Sequence, residues 1–219
     1  MDAIIGANGK VEVQSALGNA ITVTDVAGDS DGEFVVTAAG HGLSTGDVVV
    51  FSVSGGMVEL DGQAGRVIVN SPNEFVLEGL GDIADISTYS DWTSGTCKKV
   101  SFATLASAQN VTMPNPTPAK LEKTTLIDKS KQYAYGLPDA PDGSIEGLFN
   151  PGGTAEKLIQ AATRANASLV ARLSFNGDTK HSVFNANWSG GQGFSLATNA
   201  VAQATISFTP IKEVIHYNS

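Results

Sequence analysis

The chain has 219 residues, a formal net charge of −9, one cysteine and 24 glycines, with 16% charged residues against 42% hydrophobic ones. A single cysteine excludes an internal disulfide and a cysteine-based zinc site, and the balance of apolar to charged residues is that of a β-rich globular protein rather than a disordered one. No apolar run reaches the length of a membrane-spanning helix and Met1-Asp2-Ala3 starts no signal peptide, so a soluble cytoplasmic product without membrane insertion is expected.

The charge is unevenly placed. Residues 18–99 hold twelve acids against Arg66, Lys98 and Lys99, which accounts for the whole net charge, while the remainder balances ten acids with ten bases. This asymmetry predicts a boundary between residues 1–17 plus 100–219 and an internal acidic block at 18–99. It also argues against a conventional nucleic-acid surface, which needs clustered Lys and Arg to displace counterions.

In chain order, NGKVEVQSAL (8–17) alternates weakly and reads as a first strand. Within the acidic block, ITVTDV (21–26), EFVVTAA (33–39), DVVVFSV (47–53), MVELDG (57–62), GRVIVNS (65–71) and EFVLEG (74–79) are β-branched or aromatic-rich. Asp31-Gly32, Gly55-Gly56, Asp61-Gly62 and Ser71-Pro72-Asn73 mark corners between them, the pattern of a small all-β barrel. In HGLSTGD (41–47), Gly42 and Gly46 suit positive φ and Asp47 is placed to accept from turn amides.

Residues 95–113 return to alternating strand. A long, proline-rich connection follows from Pro114 to Pro141, whose first part reads as an exposed loop or arm because proline cannot donate to a ladder. One helix is expected over Thr154–Asn166, with Thr154 as N-cap, Glu156 in the first turn and Asn166 as the stop. Ala155, Leu158, Ile159 and Ala162 supply its apolar stripe. Asn176-Gly177 is a two-residue hairpin signal, and residues 194–217 read as a closing strand pair. The fold class is therefore mainly β: a sandwich or barrel with one flanking α-helix, plus an inserted small β-barrel.

No nucleophile elbow, P-loop, HExxH or dinucleotide fingerprint occurs, and His41, His181 and His216 show no ligand spacing, so neither an enzyme nor a cofactor is expected. Asp29-Ser30-Asp31-Gly32-Glu33 offers oxygen ligands but lacks the twelve-residue calcium loop, and reads as a solvated acidic turn. His41 reads as a loop-packing residue and Cys97 as a small buried hydrophobe. Tyr89 and Trp92 are the candidates for stacking on a sugar ring at the surface of the insert, with a core or edge position as the simpler alternative. Leu121, Thr124, Leu126, Ile127, Tyr133, Tyr135 and Leu137 make the arm a candidate subunit interface, since a purely solvated loop would not need its apolar members.

The pattern VTMPNPTPAKLEKTTLIDKSKQYAYGLPDAPDGSIEGLFNPGG, followed by a helix and alternating hairpins, resembles the major tail tube proteins of long, non-contractile-tailed phages. The resemblance lies in Pro114, Thr124–Asp128, Gly136–Asp139, Ser144–Pro151 and Thr154–Asn166, and covers the non-inserted part of the chain. The block at 18–99, with HGLSTGD, Glu59-Leu60-Asp61-Gly62 and Ser71-Pro72-Asn73-Glu74-Phe75, is similar to a small β-barrel within ubiquitin-activating enzymes, without the catalytic parts of those enzymes. The resemblance to the tail tube family implies a virion protein assembled in the cytoplasm of a host bacterium. Six copies would form a ring, rings would stack into a tube, and DNA would pass transiently through the lumen without specific binding. It implies as partners further copies of the chain, a tail tip or initiator complex, a tape-measure protein and a tail terminator, with the insert decorating the outside. The competing reading is an acidic β-domain module that recognises a glycan or host surface through Tyr89 and Trp92.

Overall fold

A computed structural model describes residues 9–125, 127, 129–139, 141–175, 179–190, 193–198 and 200–218. Its acidic half is built from β1 (Lys10–Val23), β2 (Asp25–Gly28), β3 (Phe34–Thr37), β4 (Val48–Gly55), β5 (Ala64–Ser71), β6 (Glu74–Leu77) and β7 (Ser94–Thr104). The rest comprises β8 (Ala108–Thr112), β9 (Thr117–Glu122), β10 (Tyr133–Asp139), β11 (Gly143–Leu148), helix α1 (Thr154–Ala165), β12 (Ser168–Phe175), β13 (Lys180–Gly190), β14 (Gln203–Pro210) and β15 (Ile215–Asn218). The protein is mainly β, with one α-helix on a large curled antiparallel sheet in the order β2-β3-β6-β5-β4-β7-β1-β12-β13-β14-β11-β8, and with β15 also paired to β13. Among the described residues, strands β9 and β10 pair only with one another, as a separate sheet.

The expected boundaries at 17/18 and 99/100 fall inside β1 and β7, which run on through both halves of the molecule. Their ladder extends from Glu12 opposite Thr104 to Val23 opposite Gly95, with register shifts at Gln14/Ala16 and Leu17/Ala20. Two hydrophobic clusters form along this ribbon. One gathers Phe34, Phe51, Leu60, Phe75, Leu77 and Cys97 of the acidic half. The other gathers Ile145, Ile159, Phe184, Trp188, Ile206 and Phe208.

Strand β13 joins the two clusters. Alternation sends Phe184, Ala186 and Trp188 to the helix side, where Phe184 stacks on Phe208 at 5.2 Å between ring centroids. The opposite face sends Val183, with Val170, Ile215 and Tyr217 from neighbouring strands, into the cluster of the acidic half. A strand buried on both faces reads as a nearly continuous buried run, and Val183 to Asn185 are all buried. Polar ties cross the same junction: Asn185 Nδ2 donates to Gly62 O at 2.9 Å, Gln63 Nε2 to Glu213 O at 3.1 Å and Lys212 Nζ to Glu59 O at 3.0 Å.

Several expectations are corrected. MVELDG forms no strand: Val58–Leu60 is a short 3₁₀ turn that inserts Leu60 into the core. The helix is capped by Gly153, one residue before Thr154, and the Glu156 carboxylate lies where a Cβ on residue 153 would sit. Glu156 is itself buried and accepts from Ser107 Oγ at 2.6 Å. Asn166 ends the helix as expected, in the left-handed conformation at φ 51°. Residues 95–113 hold two strands, because Leu105–Ser107 turns the chain so that Leu105 fills the core. Residues 194–198 and 200–202 are loop apart from a bridge between Ser195 and Gln203, despite their strand-like alternation. The Asn176-Gly177 turn lies outside the described residues; β12 and β13 on either side of it pair antiparallel.

Two glycines with the same φ of 84° separate strain from contact. Gly32 has open space around its missing Cβ, whereas a methyl on Gly56 would meet Asp91 O and come within 2.6 Å of Thr93 N. Gly32→Ala is expected to cost about 1 kcal/mol, and Gly56→Ala about 1–3 kcal/mol more, because it must move the 91–93 backbone. Urea midpoints of the two variants check this; equal losses would show that the 91–93 loop yields freely.

Candidate functional site

The arm is built as a hairpin rather than a loop. Beyond β8 the chain leaves regular structure through Met113–Pro116, with Pro114 and Pro116 unable to continue a ladder. It then forms β9 and β10, with Tyr133 opposite Glu122, Ala134 opposite Leu121 and Tyr135 opposite Lys120. The register slips where Pro118 faces Pro138, since neither has an N–H to give.

Thr124 was expected at the interface, but its hydroxyl is used internally: Gln132 N donates to Thr124 Oγ1 at 2.9 Å, beside Lys123 N to Gln132 O at 2.9 Å. The apolar candidates divide between two faces. Tyr133 and Tyr135 share one face with Lys120 and Glu122, and Leu121 lies on the other, over Gly136 and Ala119. All are solvent-exposed, Leu121 at 57%, Tyr135 at 66% and Ile127, near the tip, at 91%. Leu126 and the side chain of Leu137 lie outside the described residues.

Tyr89 and Trp92 occupy a different environment. The Tyr89 ring meets Phe34 edge-on at 5.2 Å, and burial together with the charges of Glu213 and Glu59 pushes its hydroxyl pKa up. Trp92 donates from Nε1 to Val23 O at 3.3 Å and covers Gly95, where a Cβ would come within 2.7 Å of its ring. Both rings are part-buried against the core of the acidic half.

Compared with models of known protein families and with curated proteins, the sequence matches none.

The remaining polar candidates are structural. His41 is buried: Nδ1 accepts from Leu43 N at 3.0 Å, so Nε2 carries the proton and donates to Ser71 O at 2.9 Å. Asp29 Oδ1 accepts from Asp31 N and Glu33 N, both at 2.9 Å, which closes the acidic turn. Asp47 accepts from Ser44 N at 2.9 Å and pairs with Lys99 at 2.7 Å, and Gly42 and Gly46 have φ of 64° and 97°. Burial pushes the Cys97 thiol up to about 12, which keeps it protonated and unreactive.

A groove of about 1000 Å³ runs between Gln63 and Tyr89 on one side and Met113, Pro114, His181 and His216 on the other. In it Ser182 Oγ lies 2.7 Å from His216 Nδ1, but among the described residues no carboxylate holds the other nitrogen of His216.

Sequence reasoning missed one exposed apolar patch. Phe194, Leu196 and Val201 project from the loop after β13, beside Leu148, and Phe194 stacks on Phe149 at 4.7 Å. The signal lies in FSLATNAV (194–201), whose alternation imitates a strand.

Proposed function

We propose that this chain is a structural subunit of a phage tail tube, which polymerises as stacked hexameric rings around a DNA conduit and carries out no bond-making chemistry. The observation that carries this reading is the proline-led β9–β10 hairpin, which among the described residues pairs with no other strand and exposes Leu121, Ile127, Tyr133 and Tyr135. A monomer gains nothing from ordering such a hairpin in solvent, whereas a neighbouring copy could bury it. The large curled sheet with a single flanking helix agrees with the architecture that the sequence resemblance implies. In this proposal the 18–99 unit rides on the outside of the tube, held against the central sheet through β13 and β15.

The test is negative-stain electron microscopy of the concentrated protein, alone and with tail tips. Hollow rods or rings are expected, and failure to polymerise even with tail tips would sink the reading. Tyr133→Ser with Tyr135→Ser should abolish rods while leaving the thermal unfolding of the monomer within about 1 kcal/mol of the parent, since both side chains are exposed. Rods of normal length from that double variant would remove the arm from the interface.

A further inference from the structure

The charge of the arm is the reverse of that of the acidic half. Over residues 117–135 the sequence has Lys120, Lys123, Lys129 and Lys131 against Glu122 and Asp128. All four lysines are exposed, and among the described residues only Lys131 has a carboxylate in range, Glu122 at 3.5 Å. Three cations therefore project from a hairpin that also exposes Tyr133, Tyr135 and Leu121.

One face of the acidic half carries carboxylates that have no ion-pair partner among the described residues. The turn Asp29–Glu33 and the loop at Asp82 bring Asp29, Asp31, Glu33 and Asp82 to one end of the molecule: Gly81 lies against the Gly32 and Glu33 backbone, and Asp29 holds the amides of Asp31 and Glu33. Glu33 Oε2 is buried with no hydrogen-bond partner among the described residues. Desolvation, then the charges of Asp82, Asp29 and Glu78, push the Glu33 carboxyl above its ordinary range. Glu78 has its own cation, Arg66 at 2.6 Å, so the unrelieved charge is that of Asp29, Asp31, Glu33 and Asp82. Isoleucine 83 is exposed beside them and supplies apolar surface.

We infer that the β9–β10 arm of one copy docks on the Asp29–Glu33/Asp82 face of a second copy, with Lys120, Lys123 and Lys129 supplying the cations which that face lacks. The inference rests on the tube reading for its assumption that copies meet through the arm, and it names the surface the arm meets. It also gives the acidic unit a role in assembly: the arms of neighbours neutralise a charge that would otherwise drive copies apart.

Two full-length variants test it. One reverses the arm (Lys120→Glu, Lys123→Glu, Lys129→Glu) and the other reverses the face (Asp31→Lys, Asp82→Lys). Asp29 and Glu33 are left intact because they hold the turn. Sedimentation velocity in low salt should show self-association of the parent chain, weakened about tenfold or more on raising salt from 0.05 to 0.5 M as screening shortens its range. Each variant alone should stay monomeric, and an equimolar mixture should associate, because each arm then meets a complementary face. Retained association of the arm variant with loss in the face variant would mean that the face takes a different cation, and would overturn the inference. So would a mixture that fails to associate, or a parent chain that is monomeric in low salt. Rods from both variants would overturn this contact and leave the tube reading standing. Salt-sensitive pairing in the mixture with no rods under any condition would keep the contact and remove the tube.

Discussion

Deleting residues 18–99 and joining Leu17 to Val100 through Asn-Gly is expected to yield an insoluble or dye-binding product rather than a smaller native protein. The splice itself is easy. Leu17 and Val100 are cross-strand partners in the β1–β7 ladder, so a two-residue turn can close the shortened ribbon. The difficulty lies on the central sheet, where Val170, Val183, Ile215 and Tyr217 are buried in the cluster that the deletion removes. Ile215 packs against Gly65 and Gly79, and the Arg66 guanidinium lies 5.0 Å from the centre of the Tyr217 ring. Uncovering four such side chains forfeits about 1.5–3 kcal/mol each. The sum is comparable with the whole stability of a typical domain, about 5–15 kcal/mol. Soluble yield and binding of an apolar dye report the outcome. A second deletion carrying Val170→Thr, Val183→Thr and Ile215→Thr should recover solubility; a soluble, cooperatively unfolding product from the plain deletion would show that the junction contributes little.

Phe184→Ala should be the most damaging single substitution among those considered, costing about 3–5 kcal/mol in denaturant unfolding. Phe184 is fully buried at the centre of β13, stacked on Phe208, while Trp188 leans on the same Phe208 ring at 5.4 Å. Collapse around the void is hindered because β13 is fixed by β12 along one edge and by β14 and β15 along the other. Val183, its neighbour on the opposite face, belongs to the other cluster, so the substitution should lower the unfolding transition of both halves together. Two separated transitions, with the acidic half unaffected, would show that β13 does not couple them.

The sequence made the helix, the strand-rich class and the exposed arm legible because each rests on local chemistry. Ala155, Ile159 and Ala162 are spaced for one helix face, and all three are buried. Asn166 takes the left-handed conformation that few other residues tolerate. What was not legible depended on partners remote in sequence. Residues 57–62 have strand-like composition, yet they turn because Leu60 must reach the core while Asp61 Oδ1 accepts from Val53 N at 2.9 Å. Tyr89 and Trp92 look like surface aromatics until Phe34 and Val23 are found beneath them. The charge boundary located the acidic half well, but it could not show that two strands cross that boundary unbroken. For the arm, composition identified the exposed apolar residues, whereas assigning Thr124 to the hairpin closure required knowing that Gln132 lies across from it.

The long ribbon also sets a timetable for synthesis. The acidic half has all its strands once β7 has emerged, whereas Glu12 must wait for Arg172, 160 residues later in the chain, to make its 2.6–2.7 Å ion pair. At about 5–20 residues per second, that interval lasts on the order of 8–30 s, during which one edge of β1 is open on the ribosome. An open strand edge invites the wrong neighbour, and inward or flanking charges are the usual deterrent. Lys10 and Glu12 alternate with the buried Val11 and Val13 along that edge. They guard the nascent chain first, and Arg172 then converts Glu12 from a deterrent into a latch.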